Sequence, residues 1–127
     1  MAFRLSSRSL ARLDGVHPDL VRVVKRAIQI TSIDFGITEG LRTKERQKEL
    51  VAKGASRTLN SRHLTGYAVD VVACIGSEVR WDWPLYPKIA AAFRQVAKEE
   101  GVPITWGGDW PKLRVGPHFE LDRKVYP

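Results

Sequence analysis

The 127-residue chain is poor in the residues that staple small proteins. It has a single cysteine, Cys74, which excludes an internal disulfide and a cysteine-based zinc site. Cys74 follows the apolar run Val69, Val71, Val72 and Ala73, so it is expected as a buried small hydrophobe. No stretch approaches the roughly 20 apolar residues needed to cross a bilayer. The segment Met1-Ala2-Phe3-Arg4-Leu5-Ser6-Ser7-Arg8 lacks the continuous apolar core of a signal peptide. The expectation is a chain without a membrane span that is made in the cytoplasm and stays there until something lets it through. Internal repeats, low-complexity tracts and linker-like stretches are also missing. One domain over residues 1–127 is expected, large enough for a core without staples.

What is abundant is positive charge. Twenty-one Lys and Arg against 14 Asp and Glu leave a net charge of +7, which suits an anionic polymer or surface as partner. The basic residues are scattered (Arg8, Arg12, Arg22, Lys25, Arg26, Arg42, Lys44, Arg46, Lys48) rather than gathered in a run. Trp81, Trp83, Trp106 and Trp110 lie beside turn-forming Pro and Gly rather than interleaved with a basic patch. A nucleic acid is therefore not the expected partner, and the chain is expected to act as a monomer.

Pro18 opens a helix in which Leu20, Val21, Val23, Val24, Ala27, Ile28 and Ile30 supply a broad apolar face. Residues 33–39 read as a short strand. Thr43 caps a second, largely polar helix from Lys44 to Lys53 that Gly54 ends. Residues 55–62 form a Ser/Thr/Asn-rich loop, and Tyr67 to Ala73 a strand. Residues 75–83 contain the turn signal Gly76-Ser77 and read as a hairpin arm. The longest helix is expected over Leu85 to Glu100, with Gly101 as its stop. Pro103 to Trp106 and Pro117 to Leu121 read as strands, with a turn at Gly107-Gly108. The pattern predicts an α+β fold, a small antiparallel sheet with three main helices.

Two of the three histidines sit in Ser61-Arg62-His63-Leu64-Thr65-Gly66-Tyr67-Ala68-Val69-Asp70 and Gly116-Pro117-His118-Phe119-Glu120-Leu121. Gly66 lets the backbone bend between His63 and the following strand, so that His63 and Asp70 can face one metal. His118 shares a strand face with Glu120, because side chains alternate along a strand. Two imidazoles and one carboxylate are a three-ligand zinc set, which keeps a position open as catalytic sites do. Taken singly, each histidine reads more readily as a hydrogen-bonded polar residue than as a ligand.

These two segments together resemble the zinc peptidases that include D-Ala-D-Ala dipeptidases and carboxypeptidases, phage L-alanyl-D-glutamate endopeptidases and the zinc fold of hedgehog signalling domains. Gly36-Ile37-Thr38-Glu39-Gly40-Leu41-Arg42-Thr43 and Trp106-Gly107-Gly108-Asp109-Trp110 look like landmarks of the endopeptidase branch. The size resembles a compact endolysin of phages infecting Gram-negative hosts.

The resemblance implies that His63, Asp70 and His118 bind Zn2+, and that the fold places this site on the sheet. It implies that Arg42 lies near the substrate, polarising the scissile carbonyl or holding a carboxylate. Ser61 is implied as a substrate donor or a loop residue. The family usually carries an acid three positions before the last histidine, as general base, where this chain has Val115. Asp109 or Glu120 takes over that role, or the chain is a weakened form, or the loop is offset; Glu120 also reads as support for a ligand and Asp109 as a turn carboxylate.

The implied function is a zinc-dependent peptidoglycan endopeptidase that cleaves the L-alanyl-D-glutamate bond of the stem peptide, as a phage endolysin in host lysis. The alternatives are a D-Ala-D-Ala carboxypeptidase and a catalytically weakened zinc-containing wall-binding protein. The implied partners are the stem peptide and the anionic cell envelope. The protein would act on the periplasmic wall from the host cytoplasm, after another protein permeabilises the membrane.

Overall fold

A computed structural model describes residues 3–56, 61–111 and 114–127. Within them the chain forms helices α1 (Ser7–Arg12), α2 (Pro18–Ile30), α3 (Lys44–Ala52) and α4 (Leu85–Glu100). Five strands accompany them: β1 (Asp34–Glu39), β2 (Ala68–Ile75), β3 (Glu78–Arg80), β4 (Ile104–Trp106) and β5 (His118–Leu121). The architecture is α+β with an antiparallel sheet in the order β1-β2-β5-β4. β3 pairs with the outer end of β2, continuing the edge that β5 occupies along its first half.

Helix starts follow local chemistry. The Thr43 hydroxyl accepts the Arg46 amide, and His17 Nδ1 accepts the Asp19 amide ahead of Pro18. Gly101 stops α4 in the left-handed conformation, with φ of 69°. α1 has no counterpart among the expected elements, because at six residues it is too short to show a period. It earns its place by closing an exposed sheet edge. Ser9 Oγ accepts the Ile37 amide, and Arg12 donates to the Ile37 carbonyl at 2.8 Å.

The sheet has a helix-covered face and a working face. Val69 lies opposite Phe119, and Val71 opposite Ile37; these residues are fully buried beneath α2 and α4 with Leu20, Val23, Val24, Ile89 and Phe93. The alternate residues project from the other face. There Asp70 lies opposite His118, and Ala68 opposite Glu120. A β-bulge between Ile37 and Glu39 lets two residues of β1 advance against one of β2, so that Glu39 faces Asp70.

Cys74 departs from expectation. It sits near the outer end of β2, half-buried, and its thiol points to the Val72 carbonyl at 3.7 Å. Burial and the neighbouring Asp34 carboxylate push that thiol up from its ordinary pKa. The expected loop over residues 55–62 lies partly outside the described residues.

Candidate metal and active site

His63 is presented by a 3-10 turn, Arg62–Thr65, whose first residue is capped by Ser61: the Ser61 hydroxyl accepts the His63 amide at 3.2 Å. The turn must then double back into β2. Gly66 does this at φ of 75°, and a side chain there would overlap the Gly15 carbonyl oxygen. The Gly66 carbonyl in turn accepts the His17 amide, tying the turn to the start of α2.

His63 is locked in one tautomer, and His118 is held between two carboxylates. His63 Nδ1 lies 2.8 Å from the Gly40 carbonyl, which can only accept, so Nδ1 carries the proton and Nε2 presents its lone pair. Nε2 is buried, makes no hydrogen bond among the described residues, and stands 3.3 Å from Asp70 Oδ1. His118 is turned the other way. Its Nε2 donates to Glu120 at 2.9 Å, leaving Nδ1 beside Asp70 Oδ1 at 3.0 Å.

The donor atoms of His63, Asp70 and His118 thus lie within 4.8 Å of one another. An unpartnered buried imidazole nitrogen is costly without a bound group. A borderline cation such as zinc suits two imidazoles and a carboxylate, and outer partners that hold each ring are what such a centre needs.

Charge around the centre is balanced by contact. Burial alone would raise the Asp70 carboxyl, but the hydrogen bond from His118 and the adjacent His63 hold it well below the usual carboxylate range. Burial likewise works against a charged His118; the bonds to Asp70 and Glu120 outweigh it and raise the imidazole to about 9 in the metal-free chain. Burial would raise Glu120 too, yet its contacts with His118 and Arg123 lower it.

The centre opens into a cleft of about 630 Å³, whose lining includes Glu39, Arg42, Trp110, Val115 and Arg123. Trp110 packs its ring 5.2 Å from that of His118. Arg42 is buried, and all three of its nitrogens are committed. Nε and Nη2 donate to the two Glu39 oxygens at 2.8 Å each, and Nη1 donates to Gln47 at 2.7 Å. Nη2 also lies 3.6 Å from Asp70 Oδ2. It therefore braces the chain's own carboxylates.

Glu120 sits behind His118 with its second oxygen near Arg62 and Arg123, at 3.6 and 3.4 Å. Asp109 is not brought to the cleft: it pairs with Arg94 on the surface. Val115, at the position where an acid was expected, does line the cleft. Glu39 is the cleft carboxylate that sequence reasoning passed over. Its spacing of three from Arg42 was visible, but the bulge that turns it inward was not.

An antiparallel sheet carrying two hydrogen-bonded imidazoles and one carboxylate in an open cleft is the frame of a metal-dependent hydrolase. Comparison with known proteins narrows that class. Residues 1–126 match the family model described as phage L-alanyl-D-glutamate peptidase, and the chain belongs to that family.

It is 32% identical to the L-alanyl-D-glutamate peptidase of Escherichia phage T5, over 99% of this chain and 94% of that protein. It is 34% identical to the L-alanyl-D-glutamate peptidase of Listeria phage A118, over 94% of this chain but 43% of that one. The crystal structure of the Serratia marcescens L-Ala D-Glu endopeptidase ChiX superposes with a TM-score of 0.93 at 49% identity, covering 99% of this chain and 95% of that one.

Proposed function

We propose that this chain is a zinc-dependent peptidoglycan endopeptidase that cleaves the L-alanyl-D-glutamate bond of the stem peptide. Membership of the peptidase family and the named activity of its relatives support the enzyme and the bond. The single observation that carries the metal is the convergence of His63, Asp70 and His118, with one buried ring nitrogen left without a partner. Zinc, when bound, supplies Lewis-acid polarisation of the peptide carbonyl and activation of water at neutral pH.

The chain's own residues do the rest. The Gly40 carbonyl and the Glu120 carboxylate hold the two rings so that His63 Nε2 and, once deprotonated, His118 Nδ1 converge on Asp70 Oδ1. Arg42 steadies Asp70 from the side away from His118 and holds Glu39 at the cleft wall. Trp110 and Val115 add apolar lining to the cleft.

The role we assign is that of a phage endolysin, waiting in the host cytoplasm and reaching the wall once another protein opens the membrane. The net charge of +7 favours its capture by the anionic envelope. A second reading, a weakened enzyme that mainly binds the wall, is favoured by Val115, which accepts no proton. One experiment separates the two: digestion of Gram-negative peptidoglycan with and without a chelator, with fragments read by mass spectrometry. Zinc-restorable release of peptides with a new N-terminal D-glutamate is the expected result. A folded protein that binds one zinc and releases nothing refutes the catalytic reading.

A further inference from the structure

Six charged side chains line the described part of the cleft besides the two histidines: carboxylates Glu39, Asp70 and Glu120, and guanidiniums Arg42, Arg62 and Arg123. They cancel, so a divalent cation at the centre leaves the cleft positive and suited to an anionic substrate. The guanidiniums are not equivalent. Arg42 is buried with every nitrogen engaged by Glu39 and Gln47. Arg62 donates to the Leu121 and Tyr126 carbonyls at 2.9 and 2.7 Å and lies over the Tyr67 ring, with its side chain 12% exposed.

Arg123 differs. Its side chain is 68% exposed, and its one hydrogen bond runs from Nε to Glu120 at 3.4 Å, so the terminal nitrogens are uncommitted. Among the described residues it is the cleft's one guanidinium with a free donor edge. Its Nε is tied to Glu120, and Arg123 lines the same cleft as His63, Asp70 and His118.

Resting on the proposed function, we propose that Arg123 is the specificity subsite for the free α-carboxylate of the D-glutamyl residue. In a stem peptide the chain continues through the γ-carboxyl of D-glutamate, so the α-carboxylate stays free on the carbon bonded to the scissile nitrogen. An enzyme cleaving that bond must meet this charge within a few bonds of the reacting carbonyl. A guanidinium edge pairs with a carboxylate through two parallel hydrogen bonds. The same edge gains nothing from a neutral amide. The enzyme should therefore prefer substrates with D-glutamate over those carrying its α-amide, D-isoglutamine.

The test compares kcat/KM on two soluble muropeptides that differ only in that acid or amide, for the zinc-loaded wild type and R123Q. Wild type should favour the acid by about 10- to 100-fold, the worth of a charge-assisted contact. That preference should collapse in R123Q, chiefly through KM, and return in part in R123K. Equal loss on both substrates, or an unchanged preference, overturns the proposal and leaves Arg123 as a brace for Glu120. A binding titration with the product peptide bearing N-terminal D-glutamate, and with its α-amide, needs no turnover. Arg123-dependent preference for the acid product in a protein that cleaves neither substrate would refute the catalytic reading and keep the subsite; equal affinities would refute the subsite.

Discussion

Replacing Glu120 with glutamine tests whether the site is built from outside the metal inward. Glu120 is 5% exposed, accepts His118 Nε2–H at 2.9 Å, and faces Arg62 and Arg123 with its other oxygen. Glutamine keeps the shape but removes the charge. Its one carbonyl oxygen must serve either His118 or the arginines, and its NH2 then points at a donor on the other side. Either arrangement loses a charge-assisted bond and weakens the hold on the His118 tautomer.

Outer partners of metal-binding histidines are worth about 10–100-fold in metal affinity, which corresponds to about 1.4–2.7 kcal/mol. E120Q should therefore bind zinc about 10–100-fold more weakly, measured by competition with a chromophoric chelator, while its circular dichroism spectrum stays native. A folded E120Q with wild-type affinity would show that Glu120 does not orient His118, and the tautomer argument would fail.

The other expectations are simpler. Gly66→Ala should destabilise the protein by about 2 kcal/mol or more in urea unfolding, because the left-handed backbone alone costs about 1–2 kcal/mol and the added methyl meets the Gly15 carbonyl; a loss under 0.5 kcal/mol would mean the turn relaxes freely. Val115→Asp should raise kcat by about 10²–10⁴-fold if this cleft position is the family's base site; no gain in a folded, zinc-binding variant refutes that assignment.

The pH dependence follows from His118, raised to about 9 in the metal-free chain. A raised folded-state value stabilises that chain fully below about 6.5, the unfolded value, and the contribution is lost as pH rises through about 9. Zinc needs the deprotonated ring, so its affinity should climb with pH over the same window, with about one proton released on binding at pH 7. Calorimetry in buffers of different ionisation enthalpy would detect that proton, and its absence would contradict the charged state of His118.

Local chemistry made much of the fold legible. The apolar face of Pro18–Ile30, the Thr43 cap and the Gly101 stop all depend on neighbours within a few residues, and the helices begin and end where those signals stand. Strand pieces were legible as alternation, but their order was not. β5 inserts between β2 and β4, so His118 lands opposite Asp70 from 48 residues away, a pairing that no local signal encodes. α1 escaped because its reason for existing is a sheet edge formed by residues nearly 30 positions later.

The same division runs through the site. Composition excluded a thiolate site, and the resemblance to the peptidase family singled out two imidazoles and an acid for zinc and a valine where an acid was expected. Tertiary structure decided what each group is free to do. Arg42, read as a substrate contact, lines the cleft while donating to Glu39 and Gln47. Asp109 is drawn to Arg94, away from the cleft, and a one-residue bulge swings Glu39 in. The physical reason is that composition and periodicity specify which side chains exist and which face of an element they occupy. Register and packing alone determine which partners come within hydrogen-bond distance, and that distance sets tautomer, charge and availability.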